Sequence, residues 1–381
     1  MASLYIHIPF CERKCLYCDF YSVEQKELIG RFCASLRKEA QMRGPAWAAR
    51  TLESVYVGGG TPSLLELDLL ASISALIRNS FALADSAEAT LEVNPGTVTS
   101  AKLRGLRGLG FNRLSIGVQS FNDGELRFLG RIHSAREAAR CVEMARAAGF
   151  QNVSVDLIYA VPGQTVASWA ETLERAVSLH PEHISAYSLI VEENTPLDRM
   201  VRAGEVTLPG EQLEVDLYEH TMRMLNEAGF EHYEVSNYAR PGFRSRHNCG
   251  YWSHVDYIGL GPSAHSFVME ESGRRARRSR NLSSVTAYCD MLGEGKLPVD
   301  SEEHLSAREL ANERIFLGLR ADGLDLPSLK DEYGLDLAAC RQSELSGLLE
   351  GGLGVMTEGM LRLTAKGYLL CDEIARRLMV S

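Results

Sequence analysis

No apolar run in the 381-residue chain approaches the length needed to cross a bilayer. Its first residues, MASLYIHIPFC, have neither the basic start nor the apolar core of about seven residues that a secretory signal needs, so the expected compartment is the cytoplasm. Positive charge is not in excess either. Lys and Arg number 40 against 50 Asp and Glu, a formal net charge of -10, which argues against general affinity for nucleic acid or anionic membrane. A disulfide framework is also missing: of nine cysteines, six (Cys33, Cys141, Cys249, Cys289, Cys340 and Cys371) are scattered singly through helix-like or strand-like segments. No repeat or low-complexity tract appears. One stretch departs from the acidic balance, GRRARRSR from Gly273 to Arg280. It reads as a solvated basic loop, with contact to an anionic ligand or partner as the alternative.

What is present is a regular alternation. The strand candidates SLYIHIP, SVYVGGG, ATLEVNP, RLSIGVQ, VSVDLIYAVP and HISAYSLI are each followed by a segment with helical spacing or caps. The strands are apolar at nearly every position, as burial on both faces of a parallel sheet demands. Six βα units with no seventh or eighth predict an α/β fold: an open, partial (β/α)6 TIM-type barrel over residues 1–230. In such barrels the chemistry sits where the strands end. Residues 231–295, rich in Gly, aromatics and His, are expected to extend the barrel, and 300–381 to form a small helical domain, winged-helix-like, with VMTEGMLRLT as a hairpin. Thr364 is expected to cap one final helix from Ala365 to Leu378, and the linker to lie near 293–303.

The stretch IPFCERKCLYCDFYS sets Cys11, Cys15 and Cys18 in C-x3-C-x2-C spacing just after the first strand. A structural zinc wants four ligands, and no second cysteine pair exists, leaving His7 or Asp19 for the fourth corner. A 4Fe-4S cluster fits the spacing better, because three thiolates leave one iron open to an exchangeable small molecule. Other polar groups fall at or near successive strand ends: Gly58-Gly59-Gly60-Thr61-Pro62, Glu92, Gln119 and Asp156, with Arg131 nearby. Backbone without side chains allows close approach to a ligand, Glu92 can accept from a ribose or an amine, and Asp156, buried among apolar residues, needs a partner that Arg131 can supply. Arg131 can alternatively hold a carboxylate through a bidentate pair.

With the aromatic Tyr17 just before its last cysteine, the cysteine motif resembles that of the radical S-adenosylmethionine (SAM) superfamily. The resemblance implies that Cys11, Cys15 and Cys18 hold the cluster, that SAM chelates the open iron, and that an electron from the cluster can cleave SAM to a 5'-deoxyadenosyl radical. It implies a SAM site made of Tyr5, Tyr17, Gly59, Gly60, Thr61, Glu92, Gln119, Arg131 and Asp156.

Within that superfamily the chain is most similar to the oxygen-independent coproporphyrinogen III oxidase group, from Leu4 to the C-terminal domain. The oxidases of the group carry a further cysteine two residues beyond the third and a longer N-terminal extension; here that position is Phe20, and ten residues precede Cys11. His247-Asn248-Cys249-Gly250-Tyr251-Trp252 instead resembles the H-N-x-x-Y-W pattern of the haem chaperone, HemW-like branch. That resemblance implies haem contact through His247, Asn248, Tyr251 and Trp252, with His247 as an iron ligand and Cys249 as the alternative. Arg244 and Arg246 lie just upstream, where a propionate can be paired. The implied cofactors are a 4Fe-4S cluster, SAM and haem, and the implied partner is an apo haem-protein acceptor such as a respiratory enzyme. Radical SAM decarboxylation of coproporphyrinogen III is the alternative, and a homodimer is left open.

Overall fold

The computed structural model describes residues 2–270 and 272–380. All six expected strands form: β1 (Ala2–Ile8), β2 (Thr51–Gly59), β3 (Ala82–Val93), β4 (Arg113–Gln119), β5 (Val153–Tyr159) and β6 (His183–Ser188). They run parallel, each hydrogen-bonded to the next, in an open curved array. The apolar sequences are explained by burial: every residue of β1 except Tyr5, and every residue of β5 except Asp156, is buried. Several of the intervening helices start where side chains cap them. Ser134 and Glu137 form a reciprocal capping box for Ala135–Ala147, and Thr165 with Ser168 does so for Val166–Ser178.

The sheet is larger than the sequence suggests. It has twelve strands in the order β12-β11-β10-β9-β1-β2-β3-β4-β5-β6-β8-β7, where β7 (Glu231–Glu234), β8 (Asn237–Ala239), β9 (Asp256–Leu260), β10 (His265–Met269), β11 (Ala276–Asn281) and β12 (Val299–Leu305) all come from beyond residue 230. Strand β9 lies parallel to β1 and so occupies its second edge. The basic run is therefore not a loop. Ala276 to Asn281 form β11, antiparallel to β12, and Arg277, Arg278 and Arg280 pair with Glu302, Glu303 and Asp300 across the ladder. The apolar alternation that marks a strand is missing because this ladder is held by opposite charges near the sheet edge. For the same reason the expected linker is in part β12.

A second core of Ile315, Leu319, Leu345, Leu361, Ile374 and their neighbours lies within residues 311–378. Strands β13 (Leu324–Asp325), β14 (Gly354–Thr357) and β15 (Met360–Leu363) make a small antiparallel sheet there, the last two as the expected hairpin. Thr364 caps a short helix, Ala365–Tyr368, and the chain breaks before a separate one, Cys371–Leu378, where one helix was expected. This unit sits against the barrel extension: the Val235 amide donates to the Arg320 carbonyl at 2.8 Å, and Arg314 Nη1 donates to the Trp252 carbonyl at 2.9 Å. Among the described residues no helix is long and apolar enough to cross a membrane.

Candidate functional site

The loop after β1 is closed on itself before any ligand is considered. The Cys11 amide donates to the Val23 carbonyl at 3.0 Å, and the Val23 amide to the Pro9 carbonyl at 2.8 Å, so Cys11, Cys15 and Cys18 lie on one tied loop. Cys11 is buried, while Cys15 and Cys18 are half-buried. Thr61 Oγ1 reaches Cys11 Sγ at 3.6 Å, and Arg131 Nη1 reaches Cys15 Sγ at 3.5 Å. Burial pushes the Cys18 thiol up to about 11, and the neighbouring Cys15 and Cys11 add to the rise.

The glycine run packs against this loop. The Gly60 amide donates to the Ile8 carbonyl at 2.8 Å and that of Thr61 to Phe10 at 2.7 Å. A Cβ on Gly60 falls 2.7 Å from the Phe10 carbonyl oxygen, and one on Gly59, whose φ is +111°, falls 2.7 Å from the His7 ring. Both glycines are thus required by the approach of β2 to the cysteine loop, and a side chain at Gly60 displaces that loop directly. Glu92 accepts from the Gly59 amide at 3.0 Å and from the Tyr56 hydroxyl at 2.9 Å. Burial raises its carboxyl to about 7 against these two bonds. The sign follows: unliganded protein loses stability as pH rises from the ordinary carboxylate range through 7, because Glu92 must then be ionised while buried.

Gln119, at the end of β4, has φ +69°, and its Nε2 stands over Gly117 beside the Arg131 guanidinium. Arg131 also donates to Asn94 Oδ1 at 2.6 Å and to the Gly117 carbonyl at 2.8 Å. Tyr17 lies close to both Cys15 and Arg131. One cluster therefore contains Cys15, Tyr17, Gln119 and Arg131, and a neighbouring one contains Gly59, Glu92, Tyr56 and Tyr5, whose hydroxyl meets His7 Nδ1 at 3.1 Å. Asp156 makes no hydrogen bond to either cluster, though its charge acts on Glu92 and Tyr56. Its carboxylate accepts from Ser115 Oγ at 2.8 Å and Ser154 Oγ at 3.1 Å, and the cation acting on it is Arg113, not Arg131. Arg113, 2% exposed on β4, gave no signal because a basic residue opening a strand reads as solvated. Asn94 was legible as a polar residue one past the end of β3.

His247 is placed differently from the sequence expectation. It lies on the helix Arg246–Trp252, is 1% exposed, and has both ring nitrogens taken: Nδ1 by Ser54 Oγ at 2.9 Å and Nε2 by the Tyr251 hydroxyl at 2.9 Å. Its ring stacks on Tyr56, and burial, with a smaller contribution from Arg113, pushes it down to about 3. So placed, the imidazole has no free nitrogen for iron. Burial pushes the Cys249 thiol up to about 11. Arg244 is paired with Glu231 and Asp322, and Arg246 with the Ser86 carbonyl, so neither waits for a propionate. Asn248 and Trp252 are half-buried on the same helix. Only Tyr251 of the motif reaches a cavity of about 780 Å³ that also touches Tyr5, Asp19, Phe20 and the helix Ala307–Arg320.

Residues 5–176 match the radical SAM superfamily, and residues 305–370 match the HemN C-terminal domain. The heme chaperone HemW of Bacillus subtilis is 35% identical over 98% of both chains, and that of Mycobacterium tuberculosis 36% identical over 99% of this chain and 94% of its own. The chain belongs to the HemW family of radical SAM proteins. The solved structure of the Escherichia coli radical SAM enzyme coproporphyrinogen III oxidase (HemN) is similar at a TM-score of 0.85 and 26% identity, covering 100% of this chain and 90% of that one.

Membership of the radical SAM superfamily implies a 4Fe-4S cluster and SAM. The donor set fits: three sulfurs share one tied loop, and the Arg131 guanidinium stands 3.5 Å from one of them. The zinc alternative needs His7 or Asp19 as its fourth ligand. His7 is itself engaged, Nε2 with the Tyr21 carbonyl at 2.7 Å and Nδ1 with Tyr5.

Proposed function

We propose that the chain is a haem chaperone that carries a SAM-coordinated 4Fe-4S cluster and delivers haem to an apo haem-protein acceptor, such as a respiratory enzyme. The observation that carries this reading is near-complete coverage of the HemW relatives at 35–36% identity. Phe20, standing where the oxidases of the wider group have a further cysteine, supports it.

Cys11, Cys15 and Cys18 hold the cluster. Such a cluster supplies one iron open to a small molecule and a source of single electrons. Around it, Tyr17, Gln119 and Arg131 form one wall of the SAM pocket, and Tyr5, Gly59, Gly60, Thr61 and Glu92 the other. The Glu92 carboxylate faces the cationic cofactor, and its raised pKa makes binding depend on pH. SAM affinity of the reconstituted protein is expected to rise severalfold between about pH 6 and pH 8, as Glu92 ionises, and the slope to vanish in Glu92→Gln. Calorimetry at both pH values checks this, and an unchanged slope in the variant removes Glu92 from the pocket.

The competing reading is radical decarboxylation of coproporphyrinogen III, favoured by the structural likeness to HemN. Anaerobic incubation with SAM, a reductant and coproporphyrinogen III separates the two. The expected result is no protoporphyrinogen, and its robust formation defeats the chaperone reading.

A further inference from the structure

If the chain carries haem, the porphyrin needs a flat apolar chamber and an available iron ligand, and the helix of His247 offers neither. We propose that haem occupies the cavity between the residues following Cys18, strand β10 and the helix Ala307–Arg320, with the His265 imidazole as the iron ligand. This rests on the haem chaperone reading and deepens it by placing its cargo.

The cavity, about 780 Å³, is of the size that encloses a ligand of this class. Aromatic rings make its walls. Tyr257 stacks on Phe267 with an interplanar angle of 19°, Tyr251 meets Tyr257 edge-on at 4.6 Å, and Phe316 closes the side formed by the C-terminal unit. At its edge stands Phe20, 69% exposed, a large apolar side chain left in water unless a ligand covers it.

Three histidines line this space, and they are not equivalent. His7 has both nitrogens engaged, as described above. His254 is tilted 30° to the Phe267 ring and its side chain is 6% exposed; its Nε2 is 3.3 Å from the Glu313 carboxylate, neither ring nitrogen completes a hydrogen bond, and the ring is closed off from the cavity's open side by its burial. His265, the first residue of β10, is exposed, and its ring makes no hydrogen bond among the described residues. Partial burial and the positive charges of Arg280 and Arg278 hold it below the usual imidazole range, so at neutral pH it is uncharged and keeps a lone pair for iron. The two arginines are balanced in turn by Asp300, Glu303 and Glu313. His247 then has a different part: it fixes the Tyr251 hydroxyl, and hence one wall of the chamber.

The test is anaerobic haem titration of the full chain, wild type against His265→Ala, with His254→Ala in parallel and Leu317→Trp to fill the cavity. Retained iron–sulfur absorbance shows that each variant is folded. His265→Ala is expected to shift the Soret band and weaken binding at least about tenfold, with added imidazole restoring the band, and Leu317→Trp to exclude haem. An unchanged band and affinity in His265→Ala, or a change seen only in His254→Ala, overturns the ligand assignment. Undiminished haem binding by Leu317→Trp overturns the cavity. Wild-type protein that binds no haem overturns the chaperone reading itself, a result distinct from these because it shows before any substitution is made.

Discussion

Simultaneous replacement of Cys11, Cys15 and Cys18 by Ala is expected to abolish the iron–sulfur absorbance of anaerobically reconstituted protein and its bound iron. The reason is chemical: thiolates are the ligands that hold such a cube, and no other cysteine shares the loop tied between Pro9 and Val23. The loop itself should survive the change, since backbone hydrogen bonds and the Gly60 and Thr61 amides hold it. Variants of Cys33, Cys141, Cys249, Cys289, Cys340 and Cys371 should keep the cluster. Because the metal-free Cys18 thiol is pushed up to about 11, cluster assembly releases a proton there and proceeds better at alkaline than at mildly acidic pH. Iron and sulfide analysis of the triple variant decides the matter; iron that survives the change, or zinc in its place, contradicts the assignment.

The second large effect concerns stability. His247→Ala is expected to destabilise the apo fold by roughly 3 kcal/mol, because it opens a cavity beside Tyr56, leaves the Tyr251 hydroxyl without its partner and leaves the Ser54 hydroxyl with Ser3 alone. Haem bound to that variant should keep an imidazole-type Soret band. Denaturant unfolding and the haem spectrum of the same sample measure both consequences together. A lost imidazole band with wild-type stability would return the iron to His247. A related pH effect has a definite sign. His7 and His247, held in the fold at about 4 and about 3, stay neutral until well below the ordinary imidazole value. The unfolded chain takes up those protons first, so stability conferred by the two rings is complete above about pH 6.5 and lost as pH falls toward the folded values.

Much of the barrel was legible because its signal is strong: six apolar runs, each followed by a helix, admit few arrangements. RLSIGVQ matches β4 residue for residue. Strands β9 to β12 were not legible, since β11 and β12 are held by Arg and acidic pairs and carry no alternating apolar pattern. The cysteine loop and the glycine run announced themselves by spacing. The buried polar groups did not: Asp156 and His247 have local partners in Ser154 and Tyr251 but also distant ones in Ser115 and Ser54, 41 and 193 residues away, and Arg113 acts through charges inside the barrel, which no local pattern encodes. Of the H-N-x-x-Y-W stretch, Tyr251 alone lines the cavity. His265 was missed because GLGPSAHS reads as a glycine-rich turn, and only the fold sets it beside Phe20 and the helix Ala307–Arg320.

The most direct test of the chaperone reading is transfer. Anaerobically reconstituted protein with SAM is loaded with haem, desalted, and mixed with an apo haem protein while the Soret region is followed. Stoichiometric haem that survives desalting and then moves to the acceptor, with an acceptor-type spectrum replacing the donor's, is the predicted result. Haem lost on the desalting column, or retained without transfer while coproporphyrinogen III is converted in a parallel sample, would contradict it.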